Sequence, residues 1–365
     1  MGQDALRHSP LEDVHRELGA KLAPFAGWLM PIEYAGTLSE HRAVRERVGL
    51  FDLSHLGKVD VVGDGAFDAL QRLLTNDLRR LDVGRAQYHH LLDAETGGVL
   101  EDLFVYRLGD DRWFVVPNAS NTEPVVERLS AMGASVRHHD TWCFLGVQGP
   151  RSMEVVASLW PQTADLAFRS CTIVARAGTE VVLARTGYTG ERGYEVFAPA
   201  ELARDVWDAL LAAGGDAGIE PAGLGARDVL RLEMGYPLYG QDLDPSHTTL
   251  EAGLGWAVSF EKGPFPGREA LIRQRAEGLP TRLRALVTQD RRHIPRAHQS
   301  VVAHAERVGE ITSGTFSPTR GAGIALAYLA PPDAFESGRE LEIDIRGRLA
   351  PATVVDLPFV DRSPR

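Results

Sequence analysis

Two hydrophobic periods alternate along the chain, and each change of period marks an element. Leu11, Val14, Leu18 and Leu22 fall at spacings of three and four, which predicts an amphipathic helix over 10–22 that ends near Pro24. AGWLMPIEYAG, rich in glycine, proline and aromatics, reads as an ordered loop, and SEHRAVRERVG as a helix capped by Ser39 and stopped at Gly49. From there period-two runs dominate: KVDVVG, QYHHLL, LEDLFVYRL, RWFVVPN, WCFLGVQG, CTIVARAG, EVVLARTG and YEVFAPA, parted by turn residues. Helical stretches interrupt them at 66–74, 122–132, 201–213 and 224–235. Hairpins alternating with packed helices predict an α+β fold rather than a doubly wound parallel sheet. After about residue 275, LRALVTQ, QSVVAHAERVGEITSG, GIALAYL, LEIDIRG and APATVVDL predict a separate β-barrel or sandwich, with the charged IRQRAEGLPTR as the linker.

Length and charge narrow the function. A chain of 365 residues suggests two or three domains, and 39 basic against 50 acidic side chains argues against nucleic acid as the main partner. Cys143 and Cys171 belong to no CxxC pair or zinc-spaced cluster, so neither a disulfide scaffold nor a structural metal is expected, and a reducing compartment, the cytoplasm, fits best. The first twenty residues have no signal-peptide core, and no apolar run approaches the roughly 20 residues that cross a bilayer. Met1-Gly2 opens like a myristoylation site, but Leu6 stands where Ser or Thr is needed, so no membrane anchor is expected.

Candidate chemistry starts in GGVLEDLFVY. Period two places Leu100, Asp102, Phe104 and Tyr106 on one face of a strand, and Val99, Glu101, Leu103 and Val105 on the other. Each face holds one carboxylate among apolar residues, and a buried carboxylate needs a partner or a solvated edge. Such a pattern equally suits a sheet edge with one acid in water. In TGYTGERGYEVF, Gly187, Gly190 and Gly193 allow a tight turn and Glu195 shares a face with Phe197, which is a ligand-facing acid or a plain hairpin. Arg227 and Arg231, at i and i+4 after Gly223 and Gly225, can grip a carboxylate, but a solvated helix flank, with Arg231 and Glu233 in surface ion pairs, is the expectation. Asp52, Ser54 and His55 invite a hydrolase triad; no nucleophile elbow surrounds Ser54, and His55 reads as structural.

In order along the chain, FAGWLMPIEY, GLFDLSHLGKV, LTNDLRRL with GRAQY, GGVLEDLFVY, PNASN, VQGP, RTGYTGERGYEV, GLGARDVLRLEMGYPLYG, FPGREAL and ITSGTFSPT resemble the glycine-cleavage aminomethyltransferase family. The likeness runs nearly end to end. It implies a three-domain cloverleaf: two antiparallel-sheet and helix domains that bind folate, over 1–275, and a C-terminal β-barrel over 281–365. It also implies the reaction, in which the aminomethyl group on the lipoyl arm of a carrier protein passes to tetrahydrofolate, releasing ammonia and giving 5,10-methylenetetrahydrofolate. Neither metal nor nucleotide is expected.

Carried over residue by residue, the resemblance makes Asp102 the catalytic acid, with Glu101 in place of the family's usual aspartate. Glu195 falls on the folate-binding glutamate, since a pterin's 2-amino group and adjacent ring nitrogen present two parallel donors to a carboxylate. Arg227 falls on a folate-contacting arginine; Tyr188, Tyr88, Asn118 and Leu56 lie in cavity-lining motifs, Leu56 replacing a common methionine. Arg296, in IPRAH, matches an arginine that faces the site's mouth from the barrel, and no tyrosine follows the terminal PFV. Two related branches compete: folate-binding iron–sulfur maintenance proteins, whose cysteine string is here EKGPFPGREAL, and folate-dependent demethylases or the folate domains of flavin oxidases. The intact GYTG and GLGARD strings favour the glycine-cleavage branch.

Overall fold

The computed structural model describes residues 6–364; Met1-Gly2 lies outside them. Two sheets stand face to face at its centre. One has six strands in the order Cys171–Arg176, Thr179–Ala184, Gly193–Ala198, Cys143–Gln148, Val48–Asp52 and Ile219–Pro221, and the other five, in the order Arg85–Leu92, Val99–Arg107, Arg112–Val116, Val59–Val62 and Ser135–His138. Strand alternation divides their apolar side chains between two layers. Leu50, Leu145 and Val196 point outward to a core shared with helices Ser152–Leu159 and Ala203–Ala213, while Phe51, Phe144 and Phe197 point inward. On the second sheet Leu103 and Val105 pack outward against helices Ala66–Leu73 and Thr122–Ala131, and Phe104 and Tyr106 point inward to meet those phenylalanines. The helix Leu224–Glu233 closes one side of the gap between the sheets.

The C-terminal strands close into a barrel in the order Arg282–Thr288, Ala322–Leu329, Glu306–Ser317, Ser300–Ala303, Glu340–Ile345 and Arg348–Val355. A closed sheet leaves no edge to aggregate, which resolves the barrel-or-sandwich alternative. The whole is a multidomain α+β fold, and each strand run and helical stretch named from the sequence after residue 58 has its counterpart.

Four local expectations are corrected. The first helix is only Glu12–Glu17: Gly19, at φ +70°, ends it, Leu18 is 44% exposed, and Leu22 belongs to the strand Lys21–Phe25. The expected loop contains the strand Trp28–Glu33, which pairs with Lys21–Phe25 across a turn at Ala26-Gly27. The next helix, Thr37–Glu46, starts before Ser39 and is not capped by it. Glu40 takes over, its carboxylate accepting from the amides of Tyr34 (2.6 Å), Gly36 (3.1 Å) and Gly223 (2.8 Å). Gly49 lies inside the strand Val48–Asp52 rather than stopping the helix. The charged half of the expected linker is the end of helix Arg268–Glu277, which buries Ala270 and Leu271; only Gly278, at φ +96°, breaks the chain direction.

Candidate active site

The strand Val99–Arg107 brings its two acids to opposite layers, as period two requires. Its start is fixed by close packing: a β-carbon on Gly98 would sit 1.9 Å from the Pro245 carbonyl oxygen, so only glycine lets the segment around Pro245 lie against it. Glu101 faces the helix side and is fully buried. Its Oε1 accepts from the Asn118 amide (2.7 Å) and Asn118 Nδ2 (2.8 Å), and its Oε2 from Asn121 Nδ2. Burial, and then the neighbouring charge of Asp102, push Glu101 well above the usual carboxylate range.

Asp102 faces the gap between the sheets. Tyr88 donates its hydroxyl to Oδ2 (2.8 Å) and Asn118 donates Nδ2 to Oδ1 (2.8 Å), so Asn118 braces both acids at once. Burial raises the Asp102 carboxyl above its ordinary value, and the two hydrogen bonds oppose that rise. Tyr88 is held by its own neighbours, stacked on Trp256 at 5.5 Å between ring centroids and leaning on Phe104.

Across the gap stands Glu195, 7% exposed, on the strand Gly193–Ala198. Its Oε2 takes the hydroxyls of Tyr106 (3.0 Å) and Thr186, whereas no protein donor among the described residues meets Oε1. The turn that delivers it needs glycine, because β-carbons at Gly187 and Gly193 would both strike the Gln148 side chain, at 2.1 Å and 2.2 Å. Burial raises Glu195 above the ordinary carboxylate value, and Arg227 pulls it partly back. Arg227 lies over the Tyr188 ring (4.8 Å), and its Nη1 is buried with no hydrogen-bond partner among the described residues. His55 Nδ1 is likewise buried and unpartnered, and burial depresses that imidazole to about 3, so it is neutral.

These side chains enclose one cavity of about 590 Å³ with a mostly apolar wall. Asp102, Glu195, Arg227, Tyr188, Tyr88, Asn118 and Leu56 all line it. Arg296 does not: it lies exposed on a barrel loop, its Nη1 bonded to the carbonyls of Pro295 and Gly314, and the lining runs only from Phe25 to Trp256. Barrel residues Ile324 and Leu326 pack against Leu232 and Met234 at the end of the closing helix. Tyr106, Thr186, His55, Phe25 and Trp256 also line the chamber without having been singled out for it. Tyr106 shares the Asp102 face in the strand pattern and was within reach of that argument; Trp256 sits in an irregular stretch with no period to point to it.

The expected solvated flank of the last helix is also corrected. Arg231 is 1% exposed and bonds Asp242 (2.6 Å), Asp228 (2.8 Å) and the barrel's Ser313 (2.8 Å). Glu233, fully buried, takes His41 (2.9 Å), Arg45 (2.7 Å), Ser317 (2.5 Å) and Thr319 (3.0 Å). Ser54 donates its hydroxyl to Asp52 (2.5 Å), and His15 meets the other oxygen of that aspartate (2.7 Å) rather than the serine, so the order of a catalytic triad is not formed.

An apolar chamber between two sheet-and-helix bodies, with a braced aspartate facing an incompletely satisfied glutamate and arginine, has the build of an enzyme site for a small organic molecule. Known proteins agree on which. The model of the GCVT N-terminal domain matches residues 11–262, and that of the glycine cleavage T-protein C-terminal barrel domain matches residues 282–361. An aminomethyltransferase of Mycolicibacterium paratuberculosis is 49% identical over 97% of each chain, and one of Frankia alni is 49% identical over 99% of each. The crystal structure of the glycine cleavage system aminomethyltransferase T of Bartonella henselae superposes with a TM-score of 0.92 at 34% identity, over 98% of this chain and 99% of that one. The chain belongs to the glycine cleavage T-protein family, and the demethylase and maintenance-protein alternatives are not favoured.

Proposed function

We propose that this protein transfers the methylene carbon of an aminomethyl group, carried on the lipoyl arm of a partner protein, to tetrahydrofolate in the chamber. The observation that carries the reading is Asp102, an aspartate facing an apolar cavity with both oxygens already held, by Tyr88 and by Asn118. The reaction balances without an external oxidant. Carbon–sulfur and carbon–nitrogen bonds of the aminomethyl group break, two carbon–nitrogen bonds to folate form, and the two folate N–H protons end on sulfur and on ammonia.

The chain's own residues fit that substrate. Among the described residues, Arg227 Nη1 and His55 Nδ1 are buried polar atoms without a partner, which is costly, and no donor meets Glu195 Oε1, so a polar-edged ligand would answer groups that the chain leaves open. Glu195 would accept from the pterin's amino edge, and Arg227 would supply a charged donor on the same side. Asp102 would orient the reacting amines and pass the proton between nucleophile and leaving group; its burial-raised carboxyl brings its proton affinity nearer neutrality, where such transfer is most effective. Two buried, unpaired cysteines suit a cytoplasmic setting.

Purified protein incubated with tetrahydrofolate and aminomethyl-loaded carrier should release ammonia and methylenetetrahydrofolate in equal amounts. Asp102→Asn should keep folate affinity and lower turnover by about 10²- to 10⁴-fold, the range for losing a placed proton-transfer group. Near-normal turnover in that variant removes Asp102 from the mechanism.

A further inference from the structure

Tyr88 holds Asp102, and something holds Tyr88. In the antiparallel pair formed by Arg85–Leu92 and Val99–Arg107, His90 stands directly opposite Asp102, and Tyr88 opposite Phe104. Side chains at 88 and 90 therefore share the chamber-facing side with Asp102. His90 is fully buried, its ring edge-on to Tyr88 with centroids 5.2 Å apart. Its Nε2 lies 3.2 Å from the Tyr88 oxygen and its Nδ1 lies 2.7 Å from Thr249 Oγ1, a hydroxyl that is itself fully buried.

The direction of every proton in this chain follows from counting. The Tyr88 hydroxyl has one proton, and with Asp102 ionised it goes to that carboxylate at 2.8 Å, a nearer and stronger acceptor than an imidazole nitrogen at 3.2 Å. At the His90 contact the tyrosine oxygen must therefore accept, which places the imidazole proton on Nε2. Burial depresses His90 to about 3, so the ring is neutral and Nδ1 is a bare acceptor. Thr249 must then donate to it. The result is one oriented series, Thr249 to His90 to Tyr88 to Asp102, with each donor polarised by the one behind it.

We propose that His90, set by Thr249, is a positioning residue that fixes the Tyr88 hydroxyl proton on Asp102. Without it the hydroxyl can turn away, and a buried carboxylate loses its better donor. The inference rests on Asp102 being the group that handles the proton. Other titratable groups bear on this one from each side: Glu101 behind it on the same strand, and Tyr188 and Tyr239 across the chamber. His89, on the opposite face with Lys262 beyond it, is lowered in part by His90, whereas burial is what acts on His90 itself. Burial keeps His89 neutral and the tyrosines protonated, so what sets the Asp102 carboxyl is its own burial, which raises it, against the hydrogen bonds of Tyr88 and Asn118, which lower it.

The sign of the effect is fixed. A hydrogen bond to the ionised form lowers a carboxyl pKa, so weakening the Tyr88 donor raises that of Asp102 and carries the acidic limb of the kcat/KM profile to higher pH. His90→Phe keeps the volume and removes both nitrogens; Thr249→Val leaves the ring but frees its tautomer. Both should move the acidic limb up by about half a pH unit or more, with tetrahydrofolate affinity unchanged. In a Tyr88→Phe background His90→Phe should add no further shift, because the link is already cut. If His90→Phe is poorly folded by thermal denaturation, Thr249→Val decides alone. An unmoved limb in the folded variants, or an equal His90→Phe shift with and without the tyrosine hydroxyl, overturns the inference. Asp102→Asn run alongside separates the two readings: full turnover there defeats the proposed function, whereas an inactive Asp102→Asn with an unmoved limb in the other variants defeats only the role of His90.

Discussion

Arg227 and Arg231 occupy the same helix one turn apart, and the protein treats them in opposite ways. Arg231 meets two aspartates, a serine and a backbone carbonyl, so almost every N–H is answered. Arg227 has the Tyr188 ring and an unanswered Nη1. Glu233 and Glu195 repeat the contrast, the first surrounded by donors from four residues and held down to about 2, the second raised by burial with one oxygen free. In these two pairs, the charge that the chain satisfies joins the helix to the barrel, and the charge that it leaves partly unsatisfied faces the chamber.

The contrast is sharpest in variants. Arg231→Met should strand Asp242 without its cation and cost about 3–5 kcal/mol, read as a large fall in the denaturant midpoint. A small fall would mean that this ion pair does not hold the barrel. Arg227→Met should leave that midpoint nearly unchanged yet weaken tetrahydrofolate binding by roughly 5- to 150-fold, the worth of about 1–3 kcal/mol for a lost buried partner. Titration calorimetry that finds full affinity breaks the comparison at its functional end. Glu195→Gln should stabilise the ligand-free protein by about 0.5–2 kcal/mol while impairing binding, since an ionised group without enough donors is removed.

Acid titration separates the two glutamates by sign. Glu233 is depressed, so its stabilisation is present above the ordinary glutamate value of 4.5 and drains away as pH falls toward about 2. Glu195 is raised, so its ionised form works against folding and its protonation on acidification works in favour. Wild-type stability followed by denaturant titration across that window should fall more steeply than that of Glu233→Gln. Parallel curves would assign the acid sensitivity elsewhere.

The faces of Glu101 and Asp102 were legible in the sequence because a strand's period of two is set by its own backbone. What answers a charge was not. Arg45 reaches Glu233 across 188 residues and Arg231 reaches Ser313 across 82, so at i, i+4 a buried clamp and a surface pair look the same. The N-terminal helix failed for the opposite reason: a spacing of three and four continued past Gly19, whose positive φ had already ended the turn, and Leu22 fell into a strand. His90 was within reach, since it alternates with Tyr88 opposite the acid-bearing strand, but its meaning needed the register that pairs it with Asp102. Of the residues that the family resemblance named, seven line the chamber and Arg296 lies on an exposed barrel loop.

The donors around Glu233 come from far to either side of it in the chain, at positions 41, 45, 317 and 319. A chain emerging from the ribosome therefore completes both central sheets long before it owns the hydroxyls that finish this junction. Until the barrel's second hairpin is synthesised, the closing helix ends in an acid only half answered. A nascent protein halted there would be the form for chaperones to guard, and the chamber, however early its walls appear, would be among the last parts to set.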